Sequence, residues 1–263
     1  MSEESGRSRR GRIWFDALTG GAAASKSRLR SVCVADAALG SETARFIAVV
    51  PDAQNRFPRA RAGEVGLDEG WALAHHVRAT IAEGVEGSRR PIIAIVDVSS
   101  QAYGRLEELL GIHLACAAAA DAYASARLAG HPVIALLVGK AMSGAFLAHG
   151  YQANRIIALD SPEVIEQEAG IEELDSTDRG LIWSLIGGEQ RYAVGFADDL
   201  LEDDADAIAA AIRKAVSTEL ESAPPPARSA QVDRYAELLR TIDPNQPLDG
   251  ESLRRLWKPR TSP

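Results

Sequence analysis

The sequence predicts an α/β protein built on a mostly parallel β-sheet. Two continuous apolar runs, at residues 91–96 and 133–138, are typical of strands buried on both faces, as parallel sheets require. Each run is followed by a loop rich in small residues and then by a helical segment. Right-handed crossovers place both helices against one sheet and both loops at its carboxyl edge, where open α/β sheets bind ligands.

Two strands and a helix are predicted before the first of these units. Residues 29–35 and 46–50 are short runs rich in β-branched side chains, and residues 39–41 suit a turn that makes them neighbours. A helix is predicted over Leu67–Glu83, directly after Gly66. Its apolar residues recur at helical spacing, namely at Leu67, Trp71, Ala74, Val77 and Ile81.

The two units themselves are predicted in more detail. In the first, a polar loop at 98–104 leads into a long Ala-rich helix over about 106–129. In the second, a loop at 139–144 leads into a short helix that ends near Gly150. Residues 155–159 then form a third strand of the same apolar kind.

Residues 13–222 are expected to form one domain, because no low-complexity segment interrupts them. Residues 1–12 are rich in Arg, Ser and Gly and are expected to be a flexible tail without the apolar core of a signal peptide. The prolines at 224–226 begin a C-terminal segment, 223–263, that is expected to comprise a linker, a short helix and a polar tail.

Composition excludes several classes of protein. The 263 residues include 29 basic and 37 acidic side chains, and this net charge of −8 argues against a nucleic-acid-binding surface. No apolar run is long enough to span a bilayer, which takes about 18 residues. The two cysteines lie in apolar stretches, so we expect a cytoplasmic protein without a disulfide framework.

The two loops suggest a way to bind negative charge. Each delivers backbone N–H groups at the start of a helix, where unpaired amides and the helix dipole favour an anion. Together they can hold a carbonyl oxygen that becomes an oxyanion or an enolate, and the small residues Ser143, Gly144 and Ala145 permit close approach of a substrate. An equally good interpretation is that Gly144 only allows a helix to pack tightly on a strand.

A serine hydrolase is excluded by the order of residues. Residues 141–145 match the nucleophile-elbow pattern G-x-S-x-G only weakly, with Ser143 in the place of the nucleophile. The α/β-hydrolases need an acid and then a histidine after the nucleophile, and no histidine follows His149.

The other histidines do not predict a metal site. His75 and His76 are adjacent on a helix and point in different directions. His113 and Cys116 share one helix face, but two ligands make a poor zinc site and core positions suit them better. Because zinc-binding and phosphate-binding signatures are also missing from the sequence, we expect no metal.

The acidic side chains are assigned to helix ends and to the surface. Asp97 closes its strand at the functional edge, and Glu107 and Glu108 open the next helix, whose N-terminus their charge stabilises. The acidic residues within 163–173 and 198–206 are most simply solvated faces.

The residues of the first unit resemble those of a known family. Residues 95–104 read IVDVSSQAYG and, with Glu107, Glu108 and Gly111, resemble the carboxyltransferase pattern V-D-T-P-G-F/Y-x-x-G-x-x-E-E-x-G. Residues 139–146, GKAMSGAF, are similar to the second loop of that family. With RAGEVGLDEG at 61–70 and RIWF at 12–15, the chain is identified as a member of the γ subunits of biotin-independent malonate decarboxylases.

The resemblance covers roughly residues 12–220 and implies a ClpP/crotonase-like fold with C-terminal helices. It also implies a carboxy-lyase that acts only in complex. A β subunit of the same fold and an acyl-carrier subunit would be its partners. Malonate, held as a thioester on the carrier's CoA-like phosphopantetheine, would lose CO2 and leave an acetyl thioester. No cofactor would be bound by this chain.

The resemblance also assigns site residues, with backbone amides as the groups that stabilise the enolate. The catalytic set comprises Ser99, Ser100, Ser143, Gly144 and Ala145. The substrate-binding set comprises Gln101, Tyr103, Gly104 and Met142.

Two departures from related patterns matter. Carboxyltransferases have Pro-Gly where this chain has Ser99 and Ser100, which argues against a preserved biotin or acyl-CoA contact. In Clp-type peptidases the nucleophile stands where this chain has Met142. Two alternatives stay open: a carboxyltransferase subunit of a biotin-dependent carboxylase or decarboxylase, and a non-catalytic structural partner of the same fold.

Overall fold

Among the residues that the computed structural model describes, the strands form one sheet of six. In sheet order, which is also chain order, the strands are β1 (Val32–Leu39), β2 (Glu42–Val49), β3 (Ile92–Val98), β4 (Val133–Ala141), β5 (Arg155–Asp160) and β6 (Asp199–Glu202). The first pair is antiparallel, and each later pair is parallel. The mostly parallel α/β sheet that the sequence predicts is therefore confirmed.

The structure describes residues 9–21, 27–84, 89–160, 191–192 and 197–222, and the single positions 233, 236, 237, 240, 241 and 243. Residues 1–8 of the predicted tail, the acidic residues at 163–173 and most of the predicted C-terminal segment lie outside them. The division of the chain into one domain and two flanking segments stays a prediction.

Helices pack on both faces of the sheet. Their bounds are α1 (Arg10–Thr19), α2 (Leu67–Glu83), α3 (Arg105–Leu109), α4 (Ile112–Leu128), α5 (Ser143–Ala148) and α6 (Ala205–Glu221). Ile92 and Ala94 of β3 belong to the apolar cluster beneath α2 and α4. Ile93 and Ile95 belong to the cluster beneath α1 and α6. Within the described part of the chain, no helix is both long and apolar enough to cross a membrane.

The elements before β3 agree with the prediction in kind. The hairpin of β1 and β2 turns at Gly40, whose φ of +65° suits glycine. The helix α2 has the predicted bounds, and Gly70 on it lets α4 approach so closely that a Cβ there would lie 2.9 Å from the Ala115 backbone. Trp71, which the spacing places on the buried stripe, is instead 53% exposed, because that stripe is centred on Leu73 and Val77.

Two predicted boundaries are wrong. The long helix over 106–129 is divided into α3 and α4, because Gly111 has a left-handed φ of +83° that ends one helix before the next begins. The predicted loop at 139–144 is much shorter, since β4 continues through Ala141. The Asp97 carboxylate of β3 holds this extension by accepting the Lys140 N–H at 3.2 Å.

The chain is ordered earlier than the tail prediction allows. Arg10 to Arg12 form the first turn of α1 rather than the end of a tail. Gly11 donates its N–H to Asp97 Oδ2 at 3.0 Å, and the buried Arg10 pairs with Asp203 at 2.6 Å. These partners lie 86 and 193 residues away in sequence, so no local pattern indicates the helix.

Candidate active site

The carboxyl ends of β3 and β4 bring the two predicted loops side by side. Met142, the first residue after β4, donates its N–H to the Val98 carbonyl at the end of β3 at 3.1 Å. Residues 99–104 and 142–145 therefore meet at one edge of the sheet. The structure thus gathers the predicted site residues in one place, and their catalytic roles stay a prediction.

The first loop is fixed by strand-like pairing with the segment before α2. The Ser100 carbonyl accepts a hydrogen bond from the Val65 N–H at 3.1 Å, and Ala102 donates its N–H to the Val65 carbonyl at 2.8 Å. Ser99 and Ser100 are half-buried, and Ala102 is fully buried. The backbone on both sides of Gln101 is therefore held in place.

Gln101 connects the two loops directly. Its side-chain Oε1 accepts the backbone N–H of Gly144 at 3.0 Å. Gly144 is the second residue of α5, so Gln101 satisfies one of the donors that a helix N-terminus leaves unpaired. The predicted oxyanion donor at Gly144 therefore already has an acceptor within the chain.

Ser143 begins α5 in a conformation that glycine would adopt more easily. Its φ is +53°, the only positive value at a non-glycine residue in the described part of the chain, and its side chain is exposed. A non-glycine residue in this region costs about 1–3 kcal/mol and is typical of functional turns. Within the described residues, the N–H groups of Ser143 and Ala145 have no acceptor. Ala145 is fully buried, and Met142 is half-buried.

Tyr103 and Gly104 lie on the outer side of the first loop. Tyr103 is 52% exposed, and the Arg59 guanidinium lies 4.1 Å from the centre of its ring. Gly104 is the residue before α3, where a side chain would overlap the Glu107 carboxylate. Both residues border the site rather than line the contact between its two loops.

Two buried carboxylates lie near Tyr103, and sequence reasoning missed the first of them. Glu64 pairs with Arg59 at 2.6 Å, and Glu107 is buried as well. Burial raises the pKa of Glu64, the bond from Arg59 opposes this shift, and the negative charge of Glu107 adds to it. Only its place in the segment 61–70 links Glu64 to the family pattern.

The last histidine of the chain is structural. His149 is fully buried, with Nδ1 2.9 Å from the Tyr123 hydroxyl and Nε2 3.0 Å from the Ile95 carbonyl. Burial lowers the pKa of His149 to about 4, so the ring is neutral, donates from Nε2 and accepts from Tyr123. It supplies no base to the loops.

Arg191 is a second residue near the site that the sequence does not indicate. Its guanidinium is buried, donates to the Ala141 carbonyl and lies 5.1 Å from the centre of the Phe146 ring. It supports the end of β4 and the packing of α5 from a point about 50 residues away. Among the described residues, no three His, Cys, Asp or Glu side chains converge as metal ligands would.

Comparison with known proteins identifies the family. Residues 60–173 match the family model of the malonate decarboxylase gamma subunit. A chain of the Pseudomonas malonate decarboxylase MdcD–MdcE hetero-dimer is 43% identical, and the alignment covers 88% of this chain and 98% of that one with a TM-score of 0.75. This chain belongs to the malonate decarboxylase gamma-subunit family. The resemblance seen in the sequence is therefore confirmed.

Other members and neighbours agree with this assignment. Pseudomonas malonate decarboxylase hetero-tetramers solved with coenzyme A and with malonate match this gamma-family chain equally well. The malonyl-S-ACP:biotin-protein carboxyltransferase MADD of Malonomonas rubra is 42% identical over 132 residues. That match covers 49% of this chain and 45% of the relative, so this chain spans less than half of it.

More distant structures share the fold alone. The transcarboxylase 12S structure is 19% identical, with 75% of this chain covered and a TM-score of 0.54. Its chain is longer, since the match covers 38% of it. The carboxyltransferase-type fold that the sequence predicts is confirmed by these neighbours.

Proposed function

We propose that this chain is the γ subunit of a malonate decarboxylase and acts together with a β subunit of the same fold. The complex converts a malonyl thioester on an acyl-carrier subunit into an acetyl thioester and CO2. The observation that carries this proposal is the meeting of the 99–104 loop with the turn at 142–145, at the carboxyl edge of the sheet in a chain of this family.

The reaction asks for stabilisation of one developing charge. The bond between the methylene carbon and the carboxylate breaks, CO2 leaves, and the electron pair delocalises onto the thioester oxygen as an enolate. One proton is then added to carbon. Hydrogen-bond donors placed before the reaction stabilise such a charge, and the loss of one donor typically costs about 10²–10³ in rate.

The edge of the sheet offers one donor on an exposed residue. Two N–H groups, those of Ser143 and Ala145, are without an acceptor in the described structure. Ala145 is fully buried, so we assign the substrate to the N–H of the exposed Ser143. The neighbouring apolar residues Ala102, Ala141 and Phe146 are buried, so we expect the β subunit to contribute the apolar surface that disfavours the charged carboxylate relative to neutral CO2. We assign the thioester oxygen to this edge and expect the β subunit to complete the pocket.

The substrate is proposed to arrive on the phosphopantetheine arm of the carrier subunit. Two Malonomonas relatives are named for malonyl-S-ACP, which supports an acyl-carrier substrate. The reaction is placed in the cytoplasm, because both cysteines, Cys33 and Cys116, are free thiols.

An exposed apolar patch marks the surface that we assign to the β subunit. We define the leucine patch as four side chains, each more than half exposed, at Leu106, Leu109, Leu110 and Leu114. Contiguous exposed apolar surface marks interaction sites, and this patch directly follows the 99–104 loop. A β subunit seated there would face the site, and the Pseudomonas relative is a hetero-dimer.

The proposal is tested by reconstitution. The chain is co-expressed with its β subunit, malonyl-loaded carrier is added, and CO2 and acetyl-carrier are measured. We expect turnover from the complex and almost none from either subunit alone. Full activity of the isolated chain, or an inactive well-folded complex, would contradict the proposal.

A second candidate is a carboxyltransferase that passes the carboxyl group to a biotin protein. The names of the Malonomonas relatives favour it, whereas the residues Ser99 and Ser100 favour direct decarboxylation. In the same assay, a requirement for a biotin protein before CO2 appears would select the carboxyltransferase. A complex that assembles with a demonstrably active β subunit but adds nothing to its rate would indicate a structural partner.

A further inference from the structure

The hydrogen bond between Gly144 and Gln101 fixes the orientation of the Gln101 carboxamide. The Gly144 N–H can only donate, so the atom that it contacts at 3.0 Å must be the carboxamide oxygen. The NH2 group therefore occupies the other end of the carboxamide. Within the described residues no acceptor receives a hydrogen bond from this NH2 group.

The carboxamide also lies flat against Gly144. A Cβ built on Gly144 would lie 3.0 Å from Oε1, 3.2 Å from Cδ and 3.7 Å from Nε2 of Gln101. All three carboxamide atoms are thus next to the start of α5. The NH2 group consequently lies at the same edge of the sheet as the unpaired N–H groups of Ser143 and Ala145.

The position of Gln101 is held at both ends. Its backbone neighbours are bonded to Val65, and its oxygen is bonded to Gly144. A donor that is held before the reaction needs no reorganisation when charge develops, which is the condition for strong electrostatic stabilisation. The bond from Gly144 also polarises the carboxamide, and such chains of hydrogen bonds strengthen one another.

We infer that Gln101 is a catalytic residue whose NH2 group donates a hydrogen bond to the enolate oxygen, while the Gly144 N–H holds Gln101 in position. This inference rests on the proposed decarboxylase function. It changes the role of Gly144 from a direct oxyanion donor to a positioning group.

The variants Gln101→Glu and Gln101→Ala in the γ–β complex test this inference. The introduced carboxylate keeps an oxygen for the Gly144 N–H but has no proton to donate at pH 8. We expect kcat to fall about 10²–10³-fold at that pH in both variants, with KM changed only a few-fold. As pH falls through the pKa of the introduced carboxyl group, its protonated form becomes a donor and the rate relative to wild type should rise. Gln101→Ala should show no such recovery.

Other outcomes separate the possible failures. If Gln101→Ala keeps at least half of the wild-type kcat, or turns over faster, Gln101 only caps α5 or occupies the place of the substrate oxygen, and the inference is overturned. If Gln101→Glu matches wild type at pH 8, the same conclusion follows. If the wild-type complex releases no CO2, the proposed function fails and this inference fails with it. Thermal unfolding and co-purification with β show whether each variant is folded.

Discussion

The Asp97 carboxylate occupies the space that a side chain on Gly139 would need. A Cβ at Gly139 would lie 2.6 Å from Cγ of Asp97, and the carboxylate accepts the backbone N–H groups of Gly11 and Lys140. One side chain on β3 thereby connects the first helix to the last residues of β4, immediately before the candidate site.

Gly139→Ala is expected to destabilise the fold. The added methyl group would push Asp97 away from its two N–H donors, and overpacking of this kind typically costs about 1–3 kcal/mol. Urea unfolding measures the loss. The double variant Gly139→Ala/Asp97→Ala should lose less free energy of unfolding than the two single variants together, because the carboxylate that clashes with the new methyl group is absent. Strictly additive losses would show that this clash does not destabilise Gly139→Ala.

Gly144→Val is expected to reduce decarboxylation without separating the subunits. A branched side chain at 144 would displace the Gln101 carboxamide, which lies 3.0–3.7 Å from the position of a Cβ. We expect kcat to fall at least 10²-fold, as for the loss of a donor. Gly144→Ala, whose single methyl needs a shift of only a few tenths of an ångström, should retain much more activity. Equal activity of the valine variant and wild type would show that the carboxamide position is unimportant.

Leu109→Glu is expected to weaken assembly with the β subunit. Leu109 is 75% exposed in the leucine patch, and a charge buried in an apolar interface is strongly unfavourable. We expect at least a tenfold rise in the dissociation constant, measured by titration calorimetry. The matched control is Ile13→Glu, a residue 60% exposed on α1, on the other face of the sheet. If both variants bind β equally well, the leucine patch is not the interface.

Stability is expected to fall between pH 6.5 and pH 4 because of His149. Burial lowers the pKa of His149 to about 4 from 6.5. Between these two pH values the histidine is protonated in the unfolded chain but neutral in the folded chain, so protonation favours unfolding. The stability that the neutral His149 ring gives the fold is fully present above pH 6.5 and is lost as pH falls to 4. The total loss in the free energy of unfolding is about 3 kcal/mol. In urea, His149→Gln should have a lower free energy of unfolding than wild type at pH 7. Its free energy of unfolding should also fall less steeply from pH 7 to pH 4.5. An unchanged slope would assign the decline to other groups.

The sequence predicts those features that local chemistry decides. The start of α2 follows from Gly66 and from an acidic first turn with Asp68 and Glu69, and its length follows from the helical spacing of its apolar residues. The hairpin follows from Gly40, and the buried strands follow from unbroken apolar runs. These signals lie within a few residues of the structures that they specify.

Features that depend on distant partners were not predictable. The start of α1 depends on Asp97 and Asp203, and the length of β4 depends on Asp97. The pairing of Gln101 with Gly144 joins residues 43 positions apart, so the sequence indicates both loops but not that one occupies a donor of the other. Gly111 is different, because the glycine is visible in the sequence, but the Ala-rich stretch around it favours one continuous helix over a left-handed turn.

The left-handed backbone conformation of Ser143 lowers the stability of the fold at a position in the candidate site. Glycine would adopt a φ of +53° without strain, so Ser143→Gly should raise the melting temperature by a few degrees in thermal unfolding. Glycine keeps the backbone N–H of residue 143 that the proposed mechanism uses, so a stabilised variant should lose the hydroxyl without losing that donor. Turnover of Ser143→Gly should still be measured, because a more mobile glycine backbone holds the N–H less firmly in place.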